Sequence, residues 1–507
     1  MGAWGLGFGI WGLGFCDVRS YDCVLVFLRR DRIVIRHFTT PFLLCTLSLL
    51  LASPLQAQQS GAVGRQLPPG SPFGGGVPQG TATAETLQLT VAGVIRRALD
   101  YNLGVLLSEQ DLSHAGGTRW VALSQLLPNV NAHVTESRQR INLEAFGFSP
   151  ANFGLSNVVG PFNTFDARVT LSQALVDFRA THETRSETHN VEAARYSYKS
   201  ARDVVVLVAA NAYLQVLAAD ARAQSSRAQL QTSQTLYQQA MDLKQNGIVA
   251  GIDVVRAEVR LNGDRQRVTV SQNEFEKARL ELARIIGLPV GQAFAVSAQL
   301  PNVPVPDMTL EQALTQAYRD RPDYLAAQER VRAAEASRAA AFSEQLPSVH
   351  VNADYGAFGL TASNSVATYT IAGSVIIPIF QGGRTQGRLA EAEADLRQRR
   401  AEAEDMRSQI YYDVRVAFFD LQAIGEQLQV ATRSRELAAQ ELTQARDRFA
   451  AGVANNLEVV QAQQSVTTAD EQYIDALLGY DVAKAVLARS LGDAEAAVQR
   501  ILGPGTP

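Results

Sequence analysis

The chain has 507 residues, 46% of them hydrophobic and 19% charged, and a formal net charge of −4. That charge is too weak to imply a nucleic-acid partner, and the length alone would suggest two to four ordinary domains. All three cysteines, Cys16, Cys23 and Cys45, lie before residue 57, which leaves the rest of the chain without thiols for disulfides or thiolate metal sites.

Residues 1–57 read as a signal peptide carrying a mis-assigned N-terminal extension. The basic run Arg29–Arg36 precedes apolar Phe42–Leu51, and a cleavage-type Pro54-Leu55-Gln56-Ala57 follows. Translation is expected to start after residue 1, at a non-AUG codon because no other Met precedes Met241; the alternative is an unusually long signal. Removing this segment takes away five Arg and three Asp, leaving 41 basic and 47 acidic residues, a net charge of −6. Gly7-Phe8-Gly9-Ile10-Trp11-Gly12 fits a dinucleotide fingerprint literally, but it lacks the strand–helix context that gives that motif meaning. Residues 58–87 are a Pro/Gly-rich flexible linker with nothing to bury.

Folding is expected to begin near Thr90, with a short helix to about Tyr101 and a second from about Leu106 to Leu126. After Leu127-Pro128 the apolar period changes from 3.6 to 2. Val130, Ala132 and Val134 alternate with Asn131, His133 and Thr135, and Phe165, Ala167, Val169 and Leu171 with Asp166, Arg168, Thr170 and Ser172. A long helix then runs to Gly247, and a second helix follows. The order recurs from Thr309-x-x-Gln312, a capping box, through Pro322, which suits a helix start. Val349, Val351, Ala353, Tyr355 and Ala357 alternate with His350, Asn352, Asp354 and Gly356; Tyr369, Ile371, Gly373 and Val375 alternate with Thr370, Ala372 and Ser374. From Arg384 a helical run of roughly 65 residues would extend about 100 Å. Its seam, Ile410, Val414, Ala417, Leu421, Ile424, Leu428 and Ala431, steps alternately by four and three. Gly452 ends it, and a returning helix from about Leu457 to Leu491 completes a very long α-hairpin.

The chain is therefore duplicated. Gly247 and Gly452, Asp253-Val254 and Glu458-Val459, and Arg179 and Arg384 are each related by 452 − 247 = 205, whereas Pro128 and Pro347 differ by 219. The first copy, 88–287, therefore carries 219 − 205 = 14 extra residues between Pro128 and Leu175 relative to the second, 308–492; 288–307 links them and 493–507 is a tail. A repeat this long is half of a pseudo-symmetric domain, not a solenoid unit. Nothing in either copy reads as a transmembrane helix. The four two-faced strands, at about 129–140, 164–176, 348–358 and 367–380, carry the pattern of a transmembrane β-barrel. Four strands cannot close a barrel in hydrocarbon, so strands must be shared, and three protomers would supply twelve.

In the order of these parts the chain resembles the TolC-like outer membrane efflux family over nearly all of residues 90–492. The shared features are paired repeats, Leu-Pro before each strand hairpin, an Arg opening each long helix, and Gly-x5-[Asp/Glu]-Val at each tip. The resemblance implies a mixed α and β fold: a homotrimeric twelve-stranded barrel in outer-membrane lipid, continued by a periplasmic α-barrel. It also implies a passive duct of a tripartite efflux or type I secretion system. Its partners would be a periplasmic adaptor, docked at tip residues Gly247, Val254, Gly452 and Val459, and an inner-membrane RND or ABC pump. Some relatives close the tunnel with Tyr, Arg and Asp contacts; the matching Phe449, Ala454, Glu458 and Gln461 keep only one carboxylate. The reading from another class is a periplasmic coiled-coil adaptor or scaffold that never inserts.

No catalytic or cofactor constellation is expected. His133 and His350 fall on polar strand faces, and His182 and His189 on a helix, without metal-ligand spacing. Asn352, Asp354, Arg168 and Thr170 are expected to face the barrel lumen. Asp253 and Glu458 would form a carboxylate ring at the periplasmic mouth, or complement helix N-termini locally.

Overall fold

The computed structural model describes residues 14–16, 23–25, 28–29, 32–33, 70–147, 156–296, 308–451, 453 and 456–502. The chain divides into Met1–Ala62 and Val63–Pro507. In the first unit the described residues form two antiparallel pairs: β1 (Gly14–Cys16) with β2 (Cys23–Leu25), and β3 (Leu28–Arg29) with β4 (Arg32–Ile33). The expected signal-peptide segment and the Gly7–Gly12 motif otherwise lie outside the described residues, as do residues 58–69 of the expected linker.

The second unit is built from two parallel series. The first runs β5 (Leu87–Leu89), α1 (Val91–Tyr101), α2 (Leu103–Ser124), β6 (Asn129–Asn142), β7 (Val158–Val176), α3 (Phe178–Gln245), α4 (Gly251–Ile285) and β8 (Phe294–Val296). The second runs α5 (Leu310–Asp320), α6 (Pro322–Ser343), β9 (Ser348–Gly359), β10 (Ser365–Ile376), α7 (Arg384–Ala450), α8 (Asn456–Ser490) and α9 (Ala494–Leu502). The long helices have 68 and 67 residues and their returning partners 35 each, the duplication in three dimensions.

Local chemistry sets the helix starts. Thr90 accepts from Gly93 N, Asn102 from Gly104 N and Asp177 from Ala180 N. Thr309 and Gln312 form both halves of a capping box, and Pro322 is the first residue of α6. Along α7 the expected seam is the buried edge: Ile410, Val414, Ala417, Ile424, Leu428 and Ala431 are buried and Leu421 is partly so. In α3 the residues Ala212, Ala219, Ser226, Ser233 and Ala240 recur every seven positions and are all buried.

The four long strands form one antiparallel sheet in the order β10–β9–β7–β6. β7 of the first copy pairs with β9 of the second, so the sheet runs unbroken across the duplication, while β6 and β10 are its edges. Each strand continues into or out of a helix, giving a layer α2–α3–α6–α7 beneath the sheet. Further down, hairpin α3–α4 meets hairpin α7–α8 through α3 and α8. Between these levels α1, α5, α9 and the parallel pair β5–β8 pack around the long helices.

Two expectations change. Residues 70–87 are not free linker: Phe73 packs on the main core, Asn102 Nδ2 donates to Phe73 O at 2.9 Å, and Val77 N donates to Tyr101 O at 2.8 Å. The Pro/Gly composition hides one aromatic anchor and a backbone that the buried Asn102 holds in place. Also, α3 does contain a stretch apolar and long enough to cross a membrane. Its Val205, Val206, Ala209, Ala210, Tyr213, Leu214 and Leu217 are instead core, packed against α1, α4, α8 and α9.

Candidate functional site: a two-faced sheet and two helical tips

Strand register places side chains on faces, because alternate residues point oppositely. Thr170 pairs with Asp354, Ser172 with Asn352, and Arg168 with Gly356, so the four expected lumen residues Arg168, Thr170, Asn352 and Asp354 share one face. Asn131 and His133 of β6 and Thr370 of β10 extend that polar face across the sheet. On it Arg168 bridges Asp166 (Nε–Oδ1 2.7 Å) and Asp354 (Nη1–Oδ1 2.8 Å) and lies over the Phe358 ring. Asp166 and Phe358 form a cross-strand pair next to it.

The opposite face carries Val134, Val169, Leu171, Val351, Tyr355, Tyr369, Ile371 and Val375. Tyr355 and Tyr369 pair directly across β9 and β10. Most of these side chains are exposed, Tyr369 by 74% and Ile371 by 73%, while Leu171 and Val351 are half-buried. A polar face and an exposed apolar face on one sheet require two different solvents.

At the other end, the first tip is a Schellman turn. Gly247 has φ +72, its N–H donates to Lys244 O at 3.0 Å, and Ile248 N donates to Leu243 O at 2.9 Å. The second tip repeats the longer bond, Val453 N to Arg448 O at 3.0 Å; Gly452 itself, and Ala454 among the expected closure positions, lie outside the described residues. Val254 and Val459 need correction as docking residues. Val254 packs with Ala240 and Ala257, and fully buried Val459 with Leu236, Ala445 and Ala462. They seal the hairpins from within, while Ile248, Ile252, Val255 and Val259 face out.

Asp253 pairs with Arg256 at 3.3 Å and Glu458 with Arg448 at 3.5 Å, so each expected mouth carboxylate has its own arginine. Ala250 is the N-cap of α4 and no side chain caps it; Asp253 does not serve there. Asn456 Nδ2 donates to Asp253 O at 3.0 Å and ties the tips together.

Farther up, a buried polar clamp joins the hairpins. Arg260 Nε donates to Asp264 Oδ2 at 3.0 Å, its Nη1 to Gln464 Oε1 at 2.6 Å, and its Nη2 to Thr467 Oγ1 at 2.9 Å. Ser233 Oγ also donates to Asp264 Oδ2, and Thr467 Oγ1 to Gln229 Oε1 at 3.1 Å. Sequence reading missed this group. Its signal was a break in the duplication: 205 residues on from Ser233, Arg260 and Asp264 stand Ala438, Ser465 and Ala469.

Among the described residues no group of three or more His, Cys, Asp or Glu could hold a metal ion. His189 instead meets Glu329 of α6 (Nδ1–Oε2 2.8 Å), and His350 Nε2 lies 3.1 Å from Ser348 Oγ.

Comparison with known proteins accounts for this arrangement. The sequence profile of the outer membrane efflux protein family matches residues 94–288 and 313–493. The pyoverdine export outer membrane protein OpmQ of Pseudomonas putida is 23% identical over 73% of this chain and 79% of its own. The toluene efflux pump outer membrane protein TtgF of Pseudomonas putida is 25% identical over 73% and 76%. Among solved structures, the Campylobacter jejuni CmeC outer membrane channel superposes with a TM-score of 0.71 at 18% identity, over 80% of this chain and 86% of that one. For VceC of Vibrio cholerae the TM-score is 0.67 at 19% identity, over 79% and 96%. With both repeats matched and the long hairpins and shared sheet in place, this chain belongs to the outer membrane efflux protein family.

Proposed function

We propose that three copies of this chain close a twelve-stranded barrel in the outer membrane and form a passive duct for substrates handed over by an inner-membrane pump. The observation that carries this reading is the two-faced sheet with both edges, β6 and β10, unpaired. An unpaired edge in hydrocarbon leaves N–H and C=O groups unsatisfied at several kcal/mol each, so β6 of one protomer pairs with β10 of the next. The polar face then lines the lumen and the apolar face meets lipid.

The path itself needs no chemistry beyond water and polar walls; energy and substrate choice belong to the pump and a periplasmic adaptor docked at the helical tips. Relatives named for pyoverdine export and toluene efflux support small-molecule export as the cargo class. A periplasmic scaffold that never inserts would not expose Ile371 and Tyr369 on a strand face.

Light scattering on detergent-extracted protein tests the reading and should return three protomer masses. A folded monomer in the aqueous fraction would overturn it.

A further inference from the structure

Where the end of the second repeat closes against the first, five helices bring charge into a half-buried seam. Arg321, at the start of α6, has a side chain only 5% exposed. It grips Asp323 through Nε (3.1 Å) and Nη2 (2.7 Å) and Asp413 of α7 through Nη1 (3.1 Å). Gly492, just past α8, lies against this junction with φ +82, and a Cβ there would come within 2.7 Å of Arg321 N. Only glycine permits that approach. Asp493 and α9 follow, and Glu495 Oε2 accepts from Arg202 Nη2 of α3 at 2.9 Å.

Next to Arg202 stands Asp203. Its carboxylate makes no hydrogen bond or ion pair among the described residues. Arg489 of α8 attracts it; Asp493, Glu495 and Asp323 repel it. The other arginines of the seam are engaged, Arg202 with Glu495 and Arg321 with Asp323 and Asp413. From α1, Arg97 is turned to Gly287 O, and Arg96 and Asp100 face solvent. Glu109, the first charged residue of α2, is exposed as well. Among the described residues the seam therefore holds Asp203, Asp323, Asp413, Asp493 and Glu495 against Arg202, Arg321 and Arg489, five acids to three arginines.

We propose that Asp203 is a proton-operated lock on this seam: protonated, it lets α9 and the end of α8 close tightly on α3, and ionised, it drives them apart. Burial is the largest influence on its carboxyl, Arg489 opposes it, and the three neighbouring acids reinforce it, so that the group is pushed up to about 7. The folded value lies above the unfolded 3.8, which means the folded state holds its proton longer. Stability from this site is complete in acid, falls as pH rises towards about 7, and is level beyond. Burial also pushes Asp481, paired with Lys484, up to about 6, so the upper part of the window belongs to Asp203.

The test uses the full chain in detergent, with melting and amide exchange of Ala494–Leu502 followed from about pH 5 to pH 8. The wild type should lose melting temperature as pH rises from about 5 to about 7 and level off beyond, and between about pH 6 and pH 8 exchange in α9, corrected for intrinsic rates, should rise roughly tenfold. Asp203→Asn should abolish both changes and be the more stable protein at about pH 8, since Asn mimics the protonated acid. Arg489→Gln should move the step to higher pH, and Asp481→Asn should leave its upper part in place. An Asp203→Asn protein that keeps the wild-type slope, or is less stable than wild type at high pH, would overturn the proposal.

Discussion

Arg168 of the first repeat and Asp354 of the second meet at 2.8 Å across β7 and β9, the strand pair that joins the two halves of the duplication. Neither residue's counterpart keeps the charge: Gly373 stands 205 positions beyond Arg168, and Thr135 stands 219 before Asp354. The bridge belongs to the junction alone. It fixes which face of the sheet is polar where slippage by one residue would exchange the faces.

The face assignment can be tested by charge insertion. Val169→Arg or Val351→Arg should impair assembly by about 2–4 kcal/mol if the site lies near mid-bilayer. Thr170→Arg or Asn352→Arg, on the polar face, should assemble like wild type. Heat-modifiable mobility of the assembled protein reports the difference. Equal damage on both faces would refute the lipid–lumen assignment.

The clamp at Arg260 gives a second prediction. Asp264 is 1% exposed, and one of its oxygens, Oδ1, has no hydrogen-bond partner. Arg260→Met would leave that carboxylate buried without its cation and should cost about 3–5 kcal/mol. Changing Asp264→Leu in the same chain should recover much of the loss, because the unpaired charge is gone. Thermal melting of the two variants decides it; a single substitution costing under about 1 kcal/mol would show that the clamp contributes little.

The sequence carried whatever repeats locally. The four–three seam from Ile410 to Ala431 is the buried edge of α7, and strand alternation already separated Val169 from Thr170. What it could not carry depends on how distant helices meet. Arg260 looks like any surface arginine until α8 is laid beside α4 and brings Gln464 and Thr467. Asp203 is one more helical acid until α9 arrives. At the tips the error was one of phase. Val254 and Val255 are adjacent, and about 100° of helical rotation puts the first inside the hairpin and the second outside.

That phase has a measurable consequence. Val459→Ala removes fully buried methyl groups and should destabilise the second hairpin by about 1–3 kcal/mol. Val255→Ala, at an exposed position, should change stability by less than about 0.5 kcal/mol. If outward aliphatic residues receive the adaptor, Val255→Ala should nevertheless weaken its capture in a pull-down of the intact complex. Unchanged capture would remove Val255 from the docking surface.

The last prediction concerns the mouth of the proposed trimer. Six carboxylates from three copies of Asp253 and Glu458 would favour cations strongly if they stood alone. They do not, since Arg256 and Arg448 lie at 3.3 and 3.5 Å. Asp253→Asn with Glu458→Gln therefore strips charge from one side of each pair and exposes six arginines. Reversal potentials in planar bilayers should shift towards anions, not merely lose cation preference. Arg256→Gln with Arg448→Gln should shift them the other way. Asp253 and Glu458 sit in the first turns of α4 and α8, Arg448 in the last turn of α7, and Arg256 three residues beyond Asp253 in the same helix, all at the surface end of the hairpins, so each substitution should cost only about 0.3–1 kcal/mol of stability. Selectivity that ignores both double variants would place these four side chains off the conduction path.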